Sequence, residues 1–329
     1  MPPRLPDRRS RSRPRPQFLL LPLLLHRRHS WFLLLTLALL LLLLLLVHAA
    51  APAALRRANA LGRRCSVAAS AVAGGGAEGT AGQPRRRRIA MVSFAAEEGN
   101  GGGGGGRRSF EGVMEAVEGN KRGYAARMGY DYVDARGAVD PRRPPSWSKI
   151  LAVRSLLPSY DWVFWNDADT VITNPNISLE SILLSAIGHS DFDASPDLVV
   201  TEDFGGINAG VWLVRRSAWS ERFLEAWWNA TSFVRLGSTR SGDNAAMQHL
   251  IAALSAEESR AHVRVSPMQC LFNSYPWTPT PKSLYRLFIS PASTWRGAYS
   301  DGDFMVHLAG IDDKKRWTAK ILQEMMSTS

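Results

Sequence analysis

Asp161-Trp-Val-Phe-Trp165, followed by Asn166-Asp-Ala-Asp169, reads as a strand that runs straight into a pair of carboxylates. An apolar run without alternation suits a strand buried on both faces, in a sheet covered by helices on both sides. In open sheets of that kind, ligands bind beyond the carboxyl ends of the strands, which is where Asp167 and Asp169 stand. Residues two apart in extended backbone face the same side. Two carboxylates brought together repel unless a cation lies between or beside them, and carboxylate oxygens suit Mg²⁺ or Mn²⁺. The chain has two more D-x-D pairs, Asp191-Phe-Asp193 and Asp301-Gly-Asp303, but neither leaves so apolar a strand. The first of them reads as a solvated loop.

Outward from that strand, short apolar runs predict strands over 89–94, 130–133, 161–165, 198–201, 208–214, 262–265 and 304–308. Helices are predicted over 110–128 with Gly129 as the stop, over 149–157 closed by Pro158, and after Ser217 as N-cap. Two more are predicted over 243–253, capped near Ser241, and from Asp312 onward. Strands alternating with helices indicate an α/β fold with a mainly parallel central sheet and helices on both faces. The roughly 240 residues from 88 to 329 suit one such domain. Trp212, Trp227 and Trp228 read as core rather than as an exposed aromatic platform. The tract Gly101 to Gly106 shares only composition with a phosphate-binding loop, lacking its spacing and its Lys-Ser/Thr ending.

The ends of the chain explain its charge. The formal net charge is +11, but residues 1–88 hold sixteen arginines against Asp7 and Glu78, and the remainder carries −3. The basicity belongs to the N-terminal tail and stem, so a nucleic-acid partner is excluded. Residues 1–30 read as a cytosolic basic tail. Trp31 to Val47 runs seventeen residues without a charge, about 25 Å as a helix. That suits a thin bilayer, and residues 31–48 read as a transmembrane signal anchor with the basic flank in the cytosol. A signal peptide cleaved near Ala49-Ala50-Ala51 is the competing reading. Residues 49–87, rich in Ala, Gly and Arg, read as a disordered stem. Arg85 to Arg88 at its end read as a solvated charge run or a proprotein-type cleavage site. Cys65 would then sit in the stem, open to an intermolecular disulfide, and Cys270 would be a buried inert thiol. The sequons at Asn176 and Asn229 fit a lumenal domain.

Seven segments in order resemble glycosyltransferase family 34, the plant and fungal Golgi α-galactosyl-, mannosyl- and xyloglucan xylosyltransferases. They are Asn120-Lys-Arg-Gly-Tyr-Ala-Ala-Arg-Met-Gly-Tyr130, Trp147-Ser-Lys149, Trp165-Asn-Asp-Ala-Asp169, Ile207-Asn-Ala-Gly210, Arg215-Arg-Ser-Ala-Trp219, Asn273-Ser-Tyr275 and Gly302-Asp-Phe-Met-Val-His-Leu-Ala-Gly310. The resemblance implies a GT-A-type fold preceded by one transmembrane helix. It implies a retaining, metal-dependent transfer from a nucleotide sugar (UDP-Gal, UDP-Xyl or GDP-Man) to a glycan hydroxyl. It assigns Asp167, Asp169 and His307 to the metal, Mn²⁺ before Mg²⁺ since imidazole favours it. Lys149, Asp167, Asn208, Gly210 and Lys314 fall to the donor. Asp243 and Asn244 stand where many members carry an Asp-Gln pair opposite the reactive carbon. Lys314 and Lys315 come later after the histidine than the family's lysine does. The implied partners are the donor, a carbohydrate acceptor, the Golgi membrane and an oligomer with other glycosyltransferases, in a single-pass type II protein. The alternatives are a non-catalytic scaffold subunit of a Golgi glycosyltransferase complex, or a membrane-tethered lectin.

Overall fold

The structure is a computed structural model that describes residues 20–63, 65, 87–95, 110–194, 196–238 and 240–328. The chain divides between Ala51 and Pro52 into two compact units. The first holds most of α1 (Leu20–Arg56), whose stretch from Trp31 is long and apolar enough to cross a membrane by length and composition. Its leucines from Leu33 to Leu46 are exposed.

The end of α1 and the residues up to Cys65 are not a structureless stem. Arg63 forms a fully buried ion pair with Asp303, and Cys65 is disulfide-bonded to Cys270 with a Cα–Cα distance of 5.8 Å. Composition correctly describes a segment that cannot fold alone, but here the partners lie more than 200 residues away. The two cysteines therefore pair within the chain, so Cys65 is not left for an intermolecular bond and Cys270 is not a free thiol. Residues 66–86 and the glycine tract lie outside the described residues.

Then follow β1 (Ile89–Ser93), α2 (Val113–Met128), β2 (Asp131–Asp134), α3 (Ser148–Leu156), β3 (Trp162–Asn166), β4 (Thr170–Ile172) and α4 (Leu179–Ile187). β5 (Leu198–Asp203), β6 (Gly206–Arg215), α5 (Ala218–Asn229), α6 (Asp243–Ala252), α7 (Ala256–His262) and β7 (Val263–Ser266) come next. The chain closes with α8 (Pro281–Ile289), α9 (Pro291–Gly297), β8 (Met305–His307) and α10 (Lys314–Thr328). The central sheet has the order β2-β1-β3-β6-β5-β7, and β4 and β8 form a second, two-stranded antiparallel sheet. Five of the six central strands point one way. β6 alone runs against its neighbours.

Alternate residues of each strand feed opposite layers. Val163 and Trp165 of β3 join Trp212 and Val214 of β6 beneath α3, α5 and α6. Trp162 and Phe164 join Val211 and Leu213 against α2 and α4. Both faces are covered, hence the uninterrupted apolar runs. Burial of each such side chain contributes about 1.5–3 kcal/mol.

The reversed strand matters most for the site. β3 ends at Asn166, paired with Val211, and the Asp167 N–H donates to the Gly210 carbonyl at 2.8 Å. Antiparallel β6 thus delivers Asn208-Ala-Gly210 to the carboxyl edge of β3. α5 begins at its expected cap, Ser217, whose side chain accepts from the Ser220 N–H. α6 begins at Asp243 as expected, but without a side-chain cap. Its N-cap is Gly242 at φ +95°, where a Cβ would lie 1.7 Å from the Phe233 carbonyl oxygen, and the Ser241 hydroxyl goes to the Asp243 carboxylate instead.

Candidate active site

Ligand-capable atoms of Asp167, Asp169 and His307 all lie within 4.8 Å of one another. β4 and β8 make this possible, since Thr170 pairs with His307 across them and the Leu308 N–H donates to the Asp169 carbonyl. His307 Nδ1 meets Asn273 Oδ1 at 2.8 Å, while the Asn273 amide donates to Thr201 Oγ1 at 2.8 Å and Asn208 Oδ1 at 3.1 Å. With its NH₂ committed, Asn273 must accept from the imidazole. The network therefore assigns the neutral ring proton to Nδ1 and turns the Nε2 lone pair toward the carboxylates. Nε2 lies 3.3 Å from Asp169 Oδ1 and 3.9 Å from Asp167 Oδ2. Asp169 Oδ1 is buried and receives no hydrogen bond. A lone pair facing a buried carboxylate oxygen is stable only with a positive charge shared between them. Carboxylate, carboxylate and imidazole form a donor set that a divalent ion such as Mn²⁺ fits.

Gly210 keeps the cradle open. A Cβ there would fall 2.5 Å from His307 Cε1 and 2.9 Å from Asp167 Oδ2. Burial disfavours the Asp169 carboxylate, whereas the Lys314 ammonium beside it favours the charged form. Lys314 contacts Asp169 Oδ2 and the Leu308 carbonyl, whereas Lys315 lies against Gly112. Of the two late lysines, Lys314 is the one at the site.

Lys149 joins the second half. Its ammonium lies 3.1 Å from Asp167 Oδ1, 3.1 Å from Asp243 Oδ2 and 3.0 Å from the Ala209 carbonyl, which uses all three of its donors. Burial opposes the charge, but Asp167 and Asp243 hold the amine above the ordinary lysine range. Asp243 also accepts from Ser241 at 2.6 Å and Ser146 at 3.2 Å. Against burial, Lys149 and these hydroxyls keep it below the usual carboxylate range. Asn244 Oδ1 accepts from the Ala209 N–H at 2.6 Å. Asn208 donates to Asp203 and Tyr275 and accepts from the Gly210 N–H. Every predicted site residue thus belongs to one connected network.

Sequence reasoning assigned no role to Asn273, which orients His307, or to Lys121. The Lys121 ammonium is fully buried under the Asp167-Ala168 turn, donating to Ser93 Oγ and the Asp167 carbonyl at 2.9 Å. Burial lowers it to about 7, with Asp169 and Asp167 pulling the other way. The signal was present. Lys121 shares a helix stripe with Val113, Val117, Tyr124 and Ala125, an apolar face with one lysine in it. Trp212 and Trp227 are core, as read, and Trp228 is half-buried under Arg143. Asp191 and Asp193 are exposed. Among the described residues the other metal-capable group is Cys65, Cys270 and Asp303, whose sulfurs are bonded to each other.

Residues 87–190 and 185–318 match the galactosyl transferase GMA12/MNN10 family. The chain is 26 % identical over 231 residues to the probable alpha-1,6-mannosyltransferase MNN10 of Saccharomyces cerevisiae, covering 60 % of this chain and 56 % of that protein. It is 24 % identical over 224 residues to an uncharacterized alpha-1,2-galactosyltransferase of Schizosaccharomyces pombe (59 % and 62 %). It is 28 % identical over 113 residues to galactomannan galactosyltransferase 1 of Cyamopsis tetragonoloba (33 % and 26 %). The chain spans less than two thirds of the length of each of these relatives. Among solved structures, a glycosyltransferase involved in glycosylation of the major capsid of PBCV-1 overlaps it with a TM-score of 0.44 at 12 % identity, over 71 % of this chain and 99 % of that one. So loose an overlap transfers no detail of the site. The family match covers most of the chain and both halves of the site, so this chain belongs to the galactosyl transferase GMA12/MNN10 family of glycosyltransferases.

Proposed function

We propose that the chain transfers a sugar from a nucleoside-diphosphate sugar (UDP-Gal, UDP-Xyl or GDP-Man) to a glycan hydroxyl, with Mn²⁺ held by Asp167, Asp169 and His307. The observation that carries this reading is the buried Asp169 Oδ1, which lacks a donor and faces the His307 lone pair at the carboxyl edge of the sheet. When bound, the ion supplies charge compensation for the departing diphosphate. Lys314 adds a second positive charge beside it. Lys149 holds Asp167 and Asp243 in fixed relation, and Asp243 stays ionised to position the donor sugar and stabilise positive charge at its reactive carbon. Asn244 acts with it by fixing Ala209. The acceptor oxygen bonds to that carbon as the carbon–diphosphate bond breaks on the same face, and its proton passes to the diphosphate. Configuration is retained.

Two hollows flank the triad. One, lined by Phe94, Phe110, Pro145, Ser146 and Trp165, opens beside Asp167 and suits a nucleoside. The other, lined by Asp203, Phe204, Gln269, Tyr275 and Trp277, suits a carbohydrate acceptor. Its Tyr275 ring stands edge-on to His307 at 5.5 Å between centroids. The basic flank and apolar α1 support a type II anchor in the Golgi membrane, and both sequon asparagines are exposed. The test offers nucleotide sugars with Mn²⁺ to the full chain and to Asp169→Asn, and measures nucleotide release. Release of one nucleotide, lost in the variant and in EDTA, is expected. Sugar binding without release, equal in both, would replace this reading with a lectin or scaffold.

A further inference from the structure

The segment Pro52–Cys65 makes contacts that a spacer has no need of. Arg63 Nη2 lies 2.7 Å from both oxygens of Asp303, with both side chains fully buried. The other arm of the guanidinium reaches the carbonyls of Trp295 and Ala298. Asn59 donates to Asp303 Oδ1 at 2.7 Å, and its backbone N–H to Ser300 Oγ at 3.0 Å. Asp303 in turn accepts from Ser274 Oγ at 2.7 Å and from the Ser300 N–H at 2.9 Å. Cys65 grips the same region through Cys270.

The gripped segment, residues 270–275, carries His307. The His307 N–H donates to the Ser274 carbonyl at 2.7 Å, and the ring is oriented by Asn273. Main chain and imidazole of this one ligand therefore both hang from two consecutive residues. Those two residues are fastened by the disulfide three positions upstream and by the Asp303 carboxylate on Ser274. A buried guanidinium–carboxylate pair costs desolvation that its own attraction scarcely recovers, so its yield is geometry. Asp303 agrees with this, because burial pushes its carboxyl up despite Arg63.

We infer that Pro52–Cys65 is a built part of the metal centre, with Arg63, Asn59 and Asp303 acting as positioning residues that aim His307 through Ser274 and Asn273. This rests on reading Asp167, Asp169 and His307 as a divalent-metal site. Groups that orient a metal ligand typically govern affinity by about 10–100-fold.

The test is Mn²⁺ titration of the detergent-solubilised full chain, reading free Mn²⁺ by its electron paramagnetic resonance signal with no donor present. Arg63→Lys keeps the charge on Asp303 but loses the Nη1 bonds to the Trp295 and Ala298 carbonyls and the Nε bond to Asn59, and is expected to weaken Mn²⁺ by about tenfold. Cys65→Ala/Cys270→Ala is expected to act in the same direction. Leu224→Ala in α5, a core truncation in a different layer, controls for destabilisation alone and should leave Mn²⁺ affinity unchanged. A folded Arg63→Lys chain with wild-type affinity overturns the inference. Should that chain fail to fold, the disulfide variant decides by the same criterion. A wild-type chain that takes up no more Mn²⁺ than Asp169→Asn overturns the metal reading itself, a different failure from the first.

Discussion

Asp167-Ala-Asp169 and Asp301-Gly-Asp303 have the same spacing and both bury their second carboxylate, yet they do different work. Asp303 has its oxygens filled by Arg63, Asn59, Ser274 and the Ser300 amide. Asp169 has one oxygen on Lys314 and the other without a donor. A buried carboxylate with all its acceptors used is a structural staple. One with an oxygen left over beside an imidazole lone pair is waiting for a cation. Spacing cannot separate these two cases, but accounting for each acceptor can.

Exchanging the two carboxylates for amides tests that difference most strongly. Asp169→Asn should cut nucleotide release by about 10²–10³-fold or more, since a metal supplies several kcal/mol at the transition state. Its melting temperature should fall less than that of Asp303→Asn, because Asp167 leaves a second carboxylate in the same cradle as Lys314 and an amide oxygen still accepts from the ammonium. Asp303→Asn should instead cost mainly stability, about 3–5 kcal/mol in denaturant unfolding, by stranding the buried Arg63. Equal stability losses in the two would break the comparison.

Gly210→Ala probes the space in the cradle. Its Cβ would collide with His307 and Asp167, costing about 1–3 kcal/mol by overpacking. Displacement of the ligands should lower turnover by about 10²-fold, measured beside the melting curve. Asn273→Ala should weaken Mn²⁺ by about 10–100-fold while leaving all three ligands in place, read by the same titration.

The smallest effect concerns pH. Asp243 is held below the ordinary carboxylate value, so its contribution to stability is present above the unfolded value of 3.8 and is lost as pH falls through the folded one. The stability gap between wild type and Asp243→Asn should therefore be widest above about pH 4 and narrow in acid. A gap that grows on acidification would contradict the assigned environment.

The sheet and both core layers were legible because β1, β3, β5 and β6 are runs of buried side chains with no alternation, flanked by amphipathic helices. The direction of β6 was not, since a strand buried on both faces reads the same either way. β4, α4, α7, α8 and α9 were missed. β4 is three residues long, whereas α8 had a readable signal in its Thr280 cap, its Pro281 start and the apolar face of Leu284, Tyr285 and Phe288. Asp167 and Asp169 were legible from position, and His307, Lys149 and Asp243 only through the ordered motifs. Lys121 was legible from its place on an apolar stripe. Arg63 and Cys65 were not, because nothing local marks residues whose partners lie more than 200 positions away. A fragment starting at residue 88 would lack Asn59, Arg63 and Cys65 and leave Asp303 buried without its guanidinium. The full chain is therefore the material to assay.

The central claim is that Asp167, Asp169 and His307 form a divalent-metal centre and that Asp301-Gly-Asp303 does not. Mn²⁺ binding to the full chain, without donor or acceptor, tests it most directly. One ion per chain is expected, lost in Asp169→Asn and retained at about tenfold weaker affinity in a folded Asp303→Asn. Binding that survives Asp169→Asn but vanishes in a folded Asp303→Asn would contradict it.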